Sequence, residues 1–368
     1  MKKLLIASTV SALFAAPATA LAAGGAPAAP TLDRVLEASG INVSGYIDAG
    51  YTRADRDIQN QFSTRVFDSQ NNSFGLNQLG LSVAKQPRQG FGGLVNITAG
   101  RDAEVINSVG ASQSQFDLTQ AYAQYATGPV TVIGGKFATM HSTEVIWSPS
   151  NANISRSILF GAVPFTHTGV RGTWALNNQV SLMGGLNNGW DQLTDANKGK
   201  TVELGATLNP IKPLAVTVSG MSGKEPVGGG NDGVRNSLNV VASYTIIDPL
   251  SVGAEALYVQ QENFPSGAGT IKAKYNGVAL YGSYMFTPKV RGSLRVEPQF
   301  DDKDGLRFGT SSTKYREVTA TGAYLPADNF EARAEVRRDQ ATNPVFTNTD
   351  GSTSKSLMTV AFQGIYKF

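Results

Sequence analysis

The chain has 368 residues, of which 41% are hydrophobic and 16% charged, with 40 glycines, two histidines and no cysteine. An average soluble domain carries about 25% charge, so this surface is charge-poor. Yet beyond the N-terminus no run of 18 apolar residues offers a membrane helix, and without cysteine no disulfide scaffold, thiol nucleophile or zinc–thiolate site is possible.

The N-terminus reads as an export signal spanning residues 1–22. Lys2 and Lys3 form its positive end, Leu4 to Ala16 its apolar core, and Ala18-Thr19-Ala20 and Ala20-Leu21-Ala22 two cleavage frames. A membrane anchor is the weaker reading, because the apolar core is short and no stop-transfer flank follows. Removing the two lysines takes the formal charge from +3 to +1 (29 basic residues against 28 acidic), so no basic patch points to nucleic acid.

Residues 23–40 form a periplasmic segment, with a Gly/Ala/Pro stretch and then a short helix. Leu32, Val35 and Leu36 share its apolar face and Gly40 stops it. From residue 41 to 368 the pattern has period two, the mark of strands with two unlike faces. Strands are expected at 42–53, 73–85, 90–100, 116–127, 129–138, 167–176, 178–187 and 200–209. Eight more are expected at 213–222, 236–247, 249–261, 273–286, 288–299, 315–325, 328–339 and 356–368.

Their connections alternate in kind. Links such as Gly128-Pro129, Asn177-Asn178, Asp248-Pro249 and Thr287-Pro288 are short and made of turn residues. The others, 54–72, 101–115, 139–166, 188–199, 223–235, 262–272, 300–314 and 340–355, are long and read as polar. Sixteen antiparallel strands with short periplasmic turns and long extracellular loops describe a transmembrane β-barrel, an all-β fold.

A soluble sandwich or propeller also has many short strands, but its outward faces are solvated. Here Leu238, Val240, Ala242, Tyr244 and Ile246 make one strand face continuously apolar, as do Val278, Leu280, Gly282, Tyr284 and Phe286. Lipid tolerates such a face, and in lipid only a closed sheet pairs every backbone group of its strands. A barrel of this strand number is too wide for its side chains to fill, so an aqueous lumen is expected.

Strand charges sit opposite the apolar stripe. Arg171 and Glu203 occupy that face, as do Arg291, Arg295 and Glu297, then Glu317, then Glu331, Arg333, Glu335 and Arg337. They form either a charged stripe acting on permeating solutes or a ladder of cross-strand ion pairs. Aromatics recur near strand ends, among them Phe91, Tyr125, Trp174, Tyr324 and Tyr366, as interfacial girdles do.

The third long loop, 139–166, carries Trp147, Ile154, Phe160 and Phe165, which need something to pack against. The lumen is the available place. Here the chain resembles a family, the OmpL-like β-barrel outer-membrane porins. The resemblance rests on Asn72 to Gln78, Gly135-Lys136-Phe137, Asn153 to Ser157, Pro164 to Arg171, and Asn188 to Asp191 followed by Lys200-Thr201. It implies a bacterial outer-membrane channel, with no implied substrate.

Glu144 and Arg156 are the candidate constriction charges, alongside Arg171, Arg291, Arg295, Glu317, Arg333 and Arg337 along the lumen. Glu144 and Arg156 alternatively form a salt bridge within the loop. Trp147, Phe160 and His167 are the candidate loop anchors, and Phe368 ends the closing strand as an assembly signal.

Catalysis would need a Ser/His or Asp/His constellation. Only His141 and His167 are available, and the reading is that they pin the loop they flank. No cofactor is expected, and Asp301, Asp302 and Asp304 are a generic acidic cluster without weight as a calcium site.

The expected function is passive diffusion of small hydrophilic solutes and ions through a channel narrowed by loop 139–166. The alternatives are a substrate-specific channel and a barrel that carries an adhesin or receptor surface. Expected partners are outer-membrane lipid and lipopolysaccharide, the solutes, the barrel-assembly machinery and two further copies in a trimer.

Overall fold

The computed structural model describes residues 32–58, 62–111, 114–228, 231–267, 269–310 and 312–368. The expected signal at 1–22 lies outside them. A short helix, α1 (Leu32–Ser39), ends where the Gly40 N–H reaches the Glu37 carbonyl at 3.1 Å, with Gly40 at φ +67°.

Fifteen strands follow in order: β1 (Asn42–Ala54), β2 (Ser73–Lys85), β3 (Gly90–Ala99), β4 (Phe116–Thr127), β5 (Val130–Ala138), β6 (Thr166–Ala175), β7 (Val180–Asn187), β8 (Thr201–Ile211), β9 (Leu214–Gly228), β10 (Asn231–Ile247), β11 (Leu250–Ser266), β12 (Gly269–Thr287), β13 (Val290–Asp302), β14 (Thr313–Ala327) and β15 (Phe330–Ala341). The closing strand, Ser356–Lys367, pairs antiparallel with both β15 and β1, so sixteen strands form a ring without an edge. Each strand pairs with its sequence neighbours, so the topology is up-and-down throughout.

Burial alternates with the pleat, and the apolar residues face outward. Leu238, Leu204, Phe286 and Phe362 are all half or more exposed. Their neighbours one residue away, such as Asn239, Glu203 and Gln363, are buried inside the ring. This is the inverse of a soluble protein and requires a lipid solvent.

The structure departs from the sequence expectations at the long-loop end. The stretches 223–235 and 262–272 are largely strand: β9 pairs with β10 as far as Gly228 opposite Asn231, and β11 with β12 as far as Ser266 opposite Gly269. These extensions mix polar residues with only a few apolar ones, such as the Phe264–Ile271 pair, so they leave little hydropathy alternation to detect. The second long loop contains an unexpected helix, α2 (Arg101–Ile106).

The long loops are also less polar in action than in composition. Phe67, Ile106, Ile158, Phe160 and Trp190 join inward-facing Val259, Tyr275 and Phe300 in one buried cluster, while Phe62 and Phe346 form a second. The upper half of the ring thus has a packed interior. At the short-turn half, inward Thr207, Thr217 and Ser283 are half-buried and Ser243 is exposed, so small hydroxyl side chains line an open vestibule.

Candidate functional site

The loop between β5 and β6, residues 139–165, lies inside the ring, held by carboxylates of the wall. Glu335 on β15 accepts the N–H groups of Ile154 (2.6 Å) and Ser155 (3.0 Å). Glu297 on β13 accepts those of Ile158 (2.7 Å) and Leu159 (2.9 Å). Glu255 on β11 takes the Thr143 N–H at 2.8 Å and the Ser142 hydroxyl at 3.2 Å. An irregular loop exposes backbone donors that must be satisfied once water is excluded. Here the barrel wall supplies charged acceptors, the stronger kind.

Arginines complete the docking. Arg295 Nη1 lies 2.7 Å from Glu144 Oε1 and also 2.7 Å from the Ser155 carbonyl, while its Nε meets Glu317 at 2.9 Å. Arg337 is held by Asp339 and donates to the Arg156 carbonyl at 2.5 Å. Arg333 pairs with Glu331 and points Nη1 at the carbonyls of Ser148 (3.3 Å) and Asn153 (3.4 Å).

Within the loop, Glu144 Oε2 caps the Ser157 N–H at 2.7 Å. Arg156 donates to the carbonyls of Val145, Ile146 and Ile154, with its guanidinium over Phe67 and Phe160. The two expected constriction charges are therefore engaged with other partners rather than with each other.

This placement revises what the lumen charges do. Glu144, Arg156, Arg295, Glu317, Arg333 and Arg337 are all buried, and Arg295 and Arg337 have no exposed surface. A group without solvent contact does not face solute. Their partners are the loop backbone and each other, which is the cross-strand ladder reading extended by a bound loop. Arg291 and Arg171 differ: Arg291 pairs with Glu331 at 2.5 Å and keeps 19% side-chain exposure, and Arg171 keeps 11%.

Arg171 on β6 forms a fork with Glu203 on β8 at 2.8 and 2.9 Å, with its guanidinium stacked over Phe137. Beside it Lys136 on β5 meets Asp117 on β4 at 3.0 Å. Beyond its base, where Thr139 meets His167 on β6 and Met140 lies against Gly205 on β8, the loop's own hydrogen bonds run elsewhere, to β2, β3 and β9–β15. Trp147 Nε1 donates to Asn96 on β3 at 2.9 Å, and Gln78 on β2 donates to the Ile146 carbonyl at 3.0 Å.

Phe160 is buried in the main apolar cluster. The His167 ring lies between the Gly189 carbonyl (3.1 Å) and the Thr139 hydroxyl (3.3 Å). His141, which begins the loop, bridges Ser219 on β9 (2.8 Å) and Ser237 on β10 (2.9 Å), and burial pushes its pKa down to about 3. Among the described residues, neither imidazole hydrogen-bonds to a carboxylate. Phe368 exchanges backbone hydrogen bonds with Gly45 at 2.8 and 2.9 Å, extending the β1 seam.

On α2, Asp102 accepts from Gln78 Nε2 at 2.7 Å, and burial raises its carboxyl to about 8. From sequence His141 is expected to pin the loop, whereas Glu255, Asp102 and Asp339 are not singled out as lumen or anchor residues. No local motif marks the docking acceptors, because their partners lie far off in sequence: 112 residues separate Thr143 from Glu255 and 181 separate Ile154 from Glu335.

Comparison with known proteins matches this geometry to channels. The model of the family described as "Putative beta-barrel porin-2, OmpL-like" matches residues 40–368. The fold is similar to an anion-selective porin from Comamonas acidovorans (TM-score 0.62, 11% identity, 89% of this chain and 99% of that one). It is also similar to OprB of Pseudomonas putida (TM-score 0.61, 11% identity, 92% and 96%). A third likeness is to the trimer form of in-vitro folded OmpT, an outer-membrane protein of Vibrio cholerae (TM-score 0.59, 11% identity, 89% and 99%). No curated protein matches by sequence.

Proposed function

Because the chain belongs to the OmpL-like β-barrel porins and is a channel protein of the bacterial outer membrane, we propose that it passes small hydrophilic solutes by passive diffusion along one side of a lumen narrowed by loop 139–165. The observation that carries this reading is the one-sided docking of the loop. It is fastened to β2, β3 and β9–β15, and beyond its base, where Thr139 meets His167 and Met140 lies against Gly205, β4–β8 keep their own ion pairs, Lys136–Asp117 and Arg171–Glu203. Solute passes between the loop and that free wall, then through the hydroxyl-lined vestibule at the short-turn, periplasmic end. Arg171, with Glu203 buried behind it, and then Arg291 at the short-turn end are the charges a permeant ion meets, with Trp147 on the loop side.

Reversal potentials across a KCl gradient test this. Glu203→Gln frees the Arg171 charge and moves the potential toward anion preference; Arg171→Gln moves it toward cations. Arg337→Gln, which has no contact with solvent, leaves it in place. Unchanged potentials in both wall variants would remove β4–β8 as the solute path.

The trimer form of OmpT of Vibrio cholerae supports assembly as a homotrimer, with outer-membrane lipid and lipopolysaccharide as its proposed surroundings. Light scattering on the folded, detergent-solubilised protein reads three chains per particle if this holds. Phe368, at the seam with β1, is the proposed contact for the assembly machinery.

A further inference from the structure

At the long-loop end, above the docked loop, a cavity of about 540 Å³ opens beside Gly161–Val163, Trp190 and Tyr275. Its walls are largely apolar, with Val163, Phe165, Trp190 and Leu306 among them, and two guanidinium groups enter it, Arg235 from β10 and Arg307 from the loop after β13.

Each arginine is fixed through its Nε alone. Arg235 Nε donates to Gln261 at 2.7 Å, and Arg307 Nε donates to the Gly161 carbonyl. Among the described residues their Nη atoms meet no hydrogen-bond acceptor. Arg235 stacks over Trp190 (4.9 Å to the ring centroid) and Arg307 over Phe308 (5.1 Å), which holds both planes in place.

The two acids of the cavity are committed elsewhere. Asp191 Oδ1 accepts the N–H groups of Phe165 (2.7 Å) and Thr166 (2.9 Å). Glu225 accepts the Trp190 N–H at 3.1 and 3.2 Å and the Thr201 hydroxyl at 2.9 Å. Gln192, also buried on this wall, has no partner for its side-chain carbonyl. Burial works against the charge on Arg307; Tyr275, Asp302 and Asp191 offset this in part, and the nearby Arg235 adds to it. A bound anion relieves both, and a carboxylate fits the fork of a guanidinium in two parallel hydrogen bonds.

We propose that this cavity is a binding subsite for organic carboxylates with an apolar body, the carboxylate between the Nη groups of Arg235 and Arg307 and the body against Trp190 and Phe165. The inference rests on the porin reading only in making the subsite a solute's first stop. It moves the channel from indiscriminate diffusion toward preference for one solute class.

Calorimetric titration of the folded, detergent-solubilised protein tests it, with benzoate as the probe and benzamide and inorganic phosphate as comparisons. Benzoate binds saturably. Benzamide, which keeps the ring and lacks the charge, binds at least tenfold more weakly, as does phosphate, which has charge without a ring. Arg235→Gln and Arg307→Gln each weaken benzoate at least tenfold, and exposed Lys303→Gln in the same loop has no effect.

Gln192→Glu places a carboxylate in the cavity while leaving both arginines intact, and it also weakens benzoate at least tenfold. Heat-dependent gel mobility certifies each variant as a folded barrel. Equal binding of benzamide, tighter binding of phosphate, or benzoate affinity unchanged in Arg235→Gln and Gln192→Glu would overturn the assignment. Because binding is read without ion flow, absence of conductance would count against the channel reading alone.

Discussion

Arg295 shows how much one lumen side chain does. It ties β13 to Glu317 on β14 and to Glu144 and Ser155 on the loop, with no exposed surface. Removing one partner of a buried pair strands the other charge, at a cost of about 3–5 kcal/mol. Arg295→Ala is therefore expected to release the loop and raise open-channel current noise while the barrel stays folded. Glu335→Gln, which turns one of the two oxygens that accept from the Ile154 and Ser155 N–H groups and the Thr321 hydroxyl into a donor, costs about 1–3 kcal/mol and raises the noise less.

Two loop residues give the docked state opposite pH limbs. His141 has its pKa depressed by burial to about 3, so the folded state refuses a proton that the unfolded chain accepts, and stability falls as pH drops below about 6.5. Asp102 is raised by burial to about 8, so the folded state keeps a proton, and its contribution is lost as pH rises from about 4 through 8. Unfolding midpoints followed by heat-dependent mobility should fall on both sides. His141→Gln flattens the acid limb and Asp102→Asn the alkaline one. Limbs unchanged in these variants would remove the two residues as their source.

At the scale of elements, the strands were legible because a bilayer forces the signal: lipid on one side and a polar lumen on the other impose period two. Where β9–β12 rise beyond the membrane that pressure ends, and the extra ladder residues could not be told from loop. The loop's apolar content placed it in the lumen as an expectation, while its wall acceptors stayed hidden because docking joins residues more than a hundred positions apart.

Gly135 illustrates a local requirement inside an otherwise tolerant strand. At φ +137°, a Cβ there would lie 2.2 Å from the Ala121 carbonyl oxygen and 2.8 Å from the Tyr122 Cα. Gly135→Ala is expected to lower the unfolding midpoint clearly. Gly282→Ala on β12, with no atom within 4 Å of the new methyl, leaves it nearly unchanged. Equal effects would mean that the β4–β5 approach is not a constraint.

At the scale of the whole molecule, the ring solves two solvent problems at once. Its outer face meets lipid, and closure leaves no unpaired strand edge. Inside, the long-loop half is packed with loop, ion pairs and an apolar cluster, and the short-turn half is an open vestibule of small hydroxyl residues. On the proposed solute path, resistance to flow is concentrated in the packed half, beside β4–β8. The low overall charge of the sequence follows from this division, because the lipid-facing area carries almost none.

The most direct measurement is the ion current through the purified protein reconstituted in a planar lipid bilayer. A water-filled channel gives stable stepwise increases in current that scale linearly with small applied voltages. Folded barrels that insert without producing any current steps would contradict the account.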